Sequence, residues 1–105
     1  MQLTSFLETG RLTVVLTGEI DHHRAKNYIQ AICAKIEAYS PNICILDFGD
    51  VTFMDSSGIA VVINALRFMN RLNGVLAVTG LGPQPMRVFR ASGMDKLVEV
   101  KEVLL

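Results

Sequence analysis

What this sequence lacks narrows its role before any motif is weighed. It has no net charge, ten basic residues cancelling ten acidic ones, so no overall field draws the chain toward nucleic acid or an anionic membrane surface. Proteins or small molecules are the expected partners. It has only two cysteines, Cys33 and Cys44, and they do not form a CxxC pair. Disulfide frameworks and metal sites use denser spacing, so these read as two reduced core thiols in apolar stretches, which suits the cytoplasm. No apolar run approaches the roughly 20 residues that span a bilayer. The start, Met1-Gln2-Leu3-Thr4-Ser5, has neither a basic region nor a continuous hydrophobic one, so neither secretion nor membrane insertion is expected. Also missing are GxSxG, GxxxxGK[ST] and GxGxxG, and with them the usual signatures of a serine hydrolase and of nucleotide phosphate binding. There is no internal repeat, linker or low-complexity stretch.

What is there is apolar. Half of the 105 residues are hydrophobic, enough for a core in one domain over 1–105 and too little chain for two. Leu3, Ser5 and Leu7 alternate with Thr4, Phe6 and Glu8, and after Thr9-Gly10 the alternation resumes at Leu12, Val14 and Leu16, which predicts a hairpin. Ala25, Ile29, Ile32 and Ile36 then recur at helical spacing, with Asp21 placed as N-cap and Ser40-Pro41 as stop. Ile43 to Phe48 reads as a strand covered on one or both faces, at the centre of the sheet. Gly49 to Met54 reads as a connector. A second helix is expected from about Ser57 to Leu72, with Ile59, Val62, Ile63, Leu66 and Met69 inward and Asn73-Gly74 as its stop. A short strand at Val75 to Val78 follows, then a loop at Gly80 to Gly82. A third helix runs from near Pro83 to Gly93 with Met86 and Phe89 inward, and a last strand covers Leu97 to Val100. Strands alternating with helices after a hairpin give an α/β fold with a mixed, mainly parallel sheet opened by that hairpin and flanked by helices.

In such sheets function gathers where strands end and helices begin. Two segments fall there: Gly18-Glu19-Ile20-Asp21-His22-His23 and Asp55-Ser56-Ser57-Gly58. Ser56 lies where a connector enters a helix, so amides and the positive end of the helix dipole are expected to face whatever its hydroxyl carries. Gly58, without a side chain, would let another protein approach closely. Asp and Ser are also the favoured N-cap residues, and an Asp-Ser-Ser-Gly string serves equally well as a plain cap. Asp21 reads both as a cap and as part of a partner surface, and His22 and His23 both as solvated first-turn residues and as contacts. Phe53, Met54 and Ile59 fit core or loop packing, although Met54 and Ile59 also adjoin the expected surface. Arg67, Arg71, Arg87 and Arg90 read as solvated helix faces, some of them able to rim an interface. A hydrolase built from Ser56 as nucleophile, His22 or His23 as base and Asp21 or Asp55 as orienter is the rival reading, set back by the missing elbow and the short chain.

Taken together in order and spacing, Gly18 to His23, Phe53-Met54-Asp55-Ser56-Ser57-Gly58-Ile59 and Phe89-Arg90-Ala91-Ser92-Gly93-Met94 resemble the STAS family over nearly the whole chain. The paired histidines are similar to its sporulation branch of anti-sigma F factor antagonists. That resemblance implies a phosphoacceptor rather than an enzyme, with Ser56 as the serine phosphorylated by the anti-sigma F factor, itself a serine kinase, and Ser57 as its neighbour. It implies that the unphosphorylated form binds the kinase and frees sigma F, and that a PP2C-type phosphatase restores the phosphorylated form. The implied partner surface is Asp21, His22, His23, Met54, Asp55, Ser57, Gly58 and Ile59. Neither cofactor nor metal is expected, and the free chain is expected to be monomeric and cytoplasmic. Other STAS roles, a general-stress antagonist or the soluble subunit of a lipid transporter, keep the fold and change the partner. Two departures are visible: Ala60 stands where relatives often carry a second glycine, and the sequence ends at Leu105, which shortens the C-terminal helix expected there.

Overall fold

The computed structural model describes residues 3–101. Thr4–Glu8 (β1) and Arg11–Ile20 (β2) form the hairpin, joined by Thr9 and Gly10 at φ 49 and 76. Positive φ at both central residues is the two-residue turn whose twist matches antiparallel strands. The helix His22–Tyr39 (α1), the strand Ile43–Met54 (β3), the helix Ser56–Arg71 (α2), the strand Val75–Thr79 (β4) and the helix Pro83–Ser92 (α3) follow. A 3-10 turn at Met94–Lys96 then leads to Glu99–Lys101 (β5). The strands lie in sequence order, β1–β2 antiparallel and the remaining pairs parallel. The mixed, mainly parallel α/β sheet expected from the sequence is what forms. The shortened C-terminal helix implied by the resemblance lies outside the described residues.

Every parallel step runs through a helix to the adjacent strand, and crossovers of one hand between consecutive neighbours put their helices on one face. Burial follows that rule. The register aligns Leu12 with Cys44 and Leu76, and Val14 with Leu46 and Val78, and all of these are buried. Their alternates Thr13, Val15, Ile45 and Asp47 remain half-exposed, so β3 is sealed on one face and only partly covered on the other. It is nonetheless the central strand.

The helical spacing locates both long helices, with adjustments to their faces. Ala25, Ile32 and Ile36 of α1 are buried while Ile29 is half-exposed, and Tyr28 joins the core because its ring packs inward. Its hydroxyl accepts from Thr17 N–H at 3.0 Å, where the β2–β3 register shifts between Val15 and Thr17. In α2 the buried stripe turns toward Val61 and Ala65, leaving Ile63 and Leu66 at its margin.

Two boundaries need correction. Gly49–Met54, expected as a connector, continues β3, because β2 pairs along it from Thr17↔Asp50 to Ile20↔Met54. Asp47 Oδ1 accepts from Gly49 N–H at 2.8 Å across the irregular stretch. The last strand also starts later than expected, since the 3-10 turn ends near Leu97. Among the described residues no helix is long and apolar enough to cross a membrane.

Candidate functional site

The end of β3 builds the site. Ile20 and Met54 are the last residues of neighbouring parallel strands and are paired, so the residues after them, Asp21 and Asp55, come out side by side. Both take the same extended backbone, φ −96 with ψ −176 and −168. Asp21 Oδ1 accepts from Arg24 N–H at 2.9 Å, and Asp55 Oδ1 from Ser57 N–H at 2.7 Å. Asp55 N–H donates to Ile20 C=O at 3.4 Å, tying one helix entrance to the other. The two acidic segments singled out in the sequence thus meet, and each is a true N-cap.

Ser56 is the first residue of α2 and is exposed. Among the described residues its hydroxyl makes no hydrogen bond within the chain. The expectation that free amides face it is corrected in part: Ser57 N–H goes to the Asp55 carboxylate, and Gly58 N–H to Asp55 C=O at 3.0 Å. Asp55 therefore occupies donors that an added phosphate would need, and its own charge stands beside the site.

Ser57 turns the other way. With His22, Ala25, Lys26, Ile29, Gln30 and Ala60 it lines a groove of about 330 Å³ between α1 and α2. No motif in the sequence points to Lys26 or Gln30. His23 is exposed. Neither histidine hydrogen-bonds to Ser56, so the geometry assembles no nucleophile–base pair among the described residues. Among the described residues no group of three His, Cys, Asp or Glu side chains converges as a metal site would require.

Burial reorders the rest. Met54 has no exposed surface and Ile59 only 7 %, so both are core residues beneath the site and not a surface that a partner meets. Gly58 is buried as well, and the space beside it is filled from within: a Cβ there would lie 2.7 Å from Met54 Sδ. Its bareness serves α2 packing onto β3, not the approach of another protein. Phe53, read as packing, is 47 % exposed, because strand alternation sends Met54 inward and Phe53 out. Arg67, Arg71, Arg87 and Arg90 lie on exposed helix faces. Cys33 and Cys44 are free and buried; burial pushes both thiols up, Cys44 to about 12.

A further side chain reaches this site without any sequence signal. Gln84 accepts from Met54 N–H through Oε1 at 2.9 Å and donates from Nε2 to Met54 C=O at 2.8 Å.

The STAS domain model matches residues 6–104. The anti-sigma F factor antagonist of Paenibacillus polymyxa is 30% identical over 87% of this chain and 78% of its own length. The anti-sigma-B factor antagonist of Listeria monocytogenes is 26% identical over 91% of this chain and 83% of its own. Among solved structures, the anti-sigma factor antagonist SpoIIAA in its unphosphorylated form superposes with a TM-score of 0.85 at 24% identity, covering 98% of this chain and 89% of that one.

Proposed function

Since the chain belongs to the STAS domain family, we propose that it is an anti-anti-sigma factor: unphosphorylated, it binds the anti-sigma F factor, a serine kinase, and so frees sigma F. Phosphorylation of Ser56 ends that contact, and a PP2C-type phosphatase restores it. The chain is then a phosphoacceptor and not an enzyme, one cytoplasmic domain over 1–105, monomeric when free. The surface offered to the kinase is Asp21, His22, His23, Asp55, Ser56 and Ser57, with Gly58, Met54 and Ile59 shaping it from below.

The observation that carries this reading is the setting of Ser56, exposed on the first turn of α2 between two acidic caps. A phosphoserine brings about 1.5 to 2 negative charges there. Asp55 already holds the Ser57 and Gly58 amides, so a partner fitted to a neutral hydroxyl would have to bury a dianion that those two donors do not offset. Such a loss costs on the order of 2 to 5 kcal/mol, roughly 30-fold to several-thousand-fold in affinity. No change of fold is needed. The test is incubation with the anti-sigma kinase encoded in the same genome and ATP, followed by mass spectrometry. One phosphate on the wild type and none on Ser56→Ala is expected; an equal phosphate on the variant overturns the assignment.

A second reading is favoured by the Listeria relative: the same site in a general-stress antagonist, with an anti-sigma B factor as partner. Binding to purified anti-sigma F and anti-sigma B factors side by side separates the two.

A further inference from the structure

Gln84 is held in a way that an incidental surface side chain is not. β4 stops pairing with β3 at Thr79↔Asp47, while β3 runs on to Met54, so among the described residues no strand pairs with the end of β3 on the side away from β2. The side-chain amide of Gln84 fills that position. It presents an acceptor to Met54 N–H and a donor to Met54 C=O, the two bonds a neighbouring strand would have supplied. A carboxamide offers both groups in one plane, which an ionised carboxylate does not, and the shorter asparagine falls a methylene short.

The route to Met54 is built into the chain. Gly80 leaves β4 at φ 75 and passes so close to Gly49 that a Cβ would lie 2.6 Å from Gly49 N. Gly82 then caps α3 in an extended conformation, and Pro83 and Pro85 flank Gln84 in the first turn. Two fixed φ angles beside it restrict where the side chain starts.

From this geometry we infer that Gln84 is a positioning residue for phosphoryl transfer to Ser56, acting through the Met54 backbone. The inference rests on the phosphoacceptor reading above. Met54 lies two residues before Ser56; Gln84 of α3 holds both its backbone groups on one side, and on the other it is in register with Ile20 of β2, whose C=O accepts from the next residue, Asp55. In the transfer, Ser56 Oγ forms the new O–P bond as the bond from the γ-phosphorus to ADP breaks, and the hydroxyl proton passes to a base of the kinase. That step demands an aligned hydroxyl, and a shift of about 1 Å costs up to about 100-fold. Of the proposed docking surface, Asp21, His22 and His23 belong to the α1 entrance, which is held by the Asp21 cap and not by Gln84, so that part of the docking contact stays when the hold on Met54 is lost.

The experiment is steady-state phosphorylation by the same-genome anti-sigma kinase and ATP, with the chain varied as substrate. Gln84→Ala is expected to lower kcat about tenfold or more with KM within about twofold. A variant that merely unfolded in part would do the opposite, because a smaller folded fraction of substrate raises apparent KM and leaves kcat at saturation. Gln84→Glu keeps the volume and the bond from Met54 N–H but, when ionised, cannot donate to Met54 C=O, so it tests the donor where the alanine variant folds poorly; a fall in kcat with a cooperative melt is expected. Faster hydrogen exchange at the Met54 amide should accompany the loss in Gln84→Ala. Wild-type kcat in both variants overturns the role of Gln84 alone. Failure of the wild-type chain to accept phosphate overturns the reading of Ser56, and this inference with it.

Discussion

Asp21 and Asp55 cap two helices from adjacent positions, each one residue beyond the paired ends of β2 and β3, Ile20 and Met54. Because the strands are parallel and in register there, one strand–Asp–helix turn is made twice, and two helix N-termini open at one edge of the sheet. Each carboxylate offsets its own helix dipole and consumes amide donors. Ser56, the residue after the second cap, thus stands beside amides of Ser57 and Gly58 that Asp55 already holds.

Ser56→Asp should weaken binding to the anti-sigma kinase while leaving the melting temperature nearly unchanged. The site is an exposed helix entrance, and surface substitutions away from buried networks usually stay within about 0.5 kcal/mol. A carboxylate carries less charge than phosphate, so a partial loss of affinity is expected by calorimetric titration. Wild-type affinity in this variant would remove the electrostatic account of the switch.

Asp55→Ala should cost about 1 kcal/mol of stability, the ordinary loss of an N-cap, whereas Asp55→Asn should cost much less because the amide oxygen still accepts from Ser57 N–H. Urea unfolding of both variants measures this. Equal losses would mean that the charge, and not the cap hydrogen bond, is what α2 needs.

How far the sequence discloses this arrangement depends on the range of the interaction concerned. The hairpin, α1, α2 and their caps are written in local patterns: alternation up to Leu16, helical spacing from Ala25 to Ile36, and Asp at both entrances. Adjacency of Gly18–His23 and Asp55–Gly58 follows from parallel pairing, which makes it legible as well. The continuation of β3 through Gly49–Met54 is not, since Gly49 and Asp50 are poor strand formers, and only pairing with Thr17–Ile20 makes them a strand. The clamps of Tyr28 on Thr17 and of Gln84 on Met54 leave no trace either. Each joins a side chain to a backbone group distant in sequence, and neither periodicity nor propensity records such a bond. Gly58 shows the same gap from the other side, for its reason is the Met54 side chain lying against it.

Gly58→Ala therefore pits two effects against each other. Alanine favours a helix over glycine by about 1 kcal/mol. Against that, the new methyl would meet Met54 Sδ at 2.7 Å, Cβ at 3.1 Å and Cγ at 3.2 Å, and Met54 is fully buried. Overpacking of this kind costs about 1 to 3 kcal/mol. A net loss of about 1 kcal/mol in urea unfolding is expected, and a gain in stability would show that Met54 yields freely.

Cys44 supplies a pH dependence whose sign is fixed by burial. Desolvation, with a smaller contribution from Cys33, lifts its thiol from 9.0 to about 12 in the folded chain. Below pH 9 the thiol keeps its proton in both folded and unfolded chains, and its contribution is fully present. Between pH 9 and 12 the unfolded chain gives up the proton and the folded chain does not, so stability falls as pH rises, by roughly 1 kcal/mol at pH 10. Urea unfolding at pH 8 and pH 10 should therefore show a larger loss in the wild type than in Cys44→Ala, whose cavity lowers stability by the same amount at both values. The comparison isolates this thiol, because every other group that titrates in the range, Cys33 included, is common to both proteins. Identical losses in the two would mean that the Cys44 thiol ionises as readily inside the sheet as it does in water.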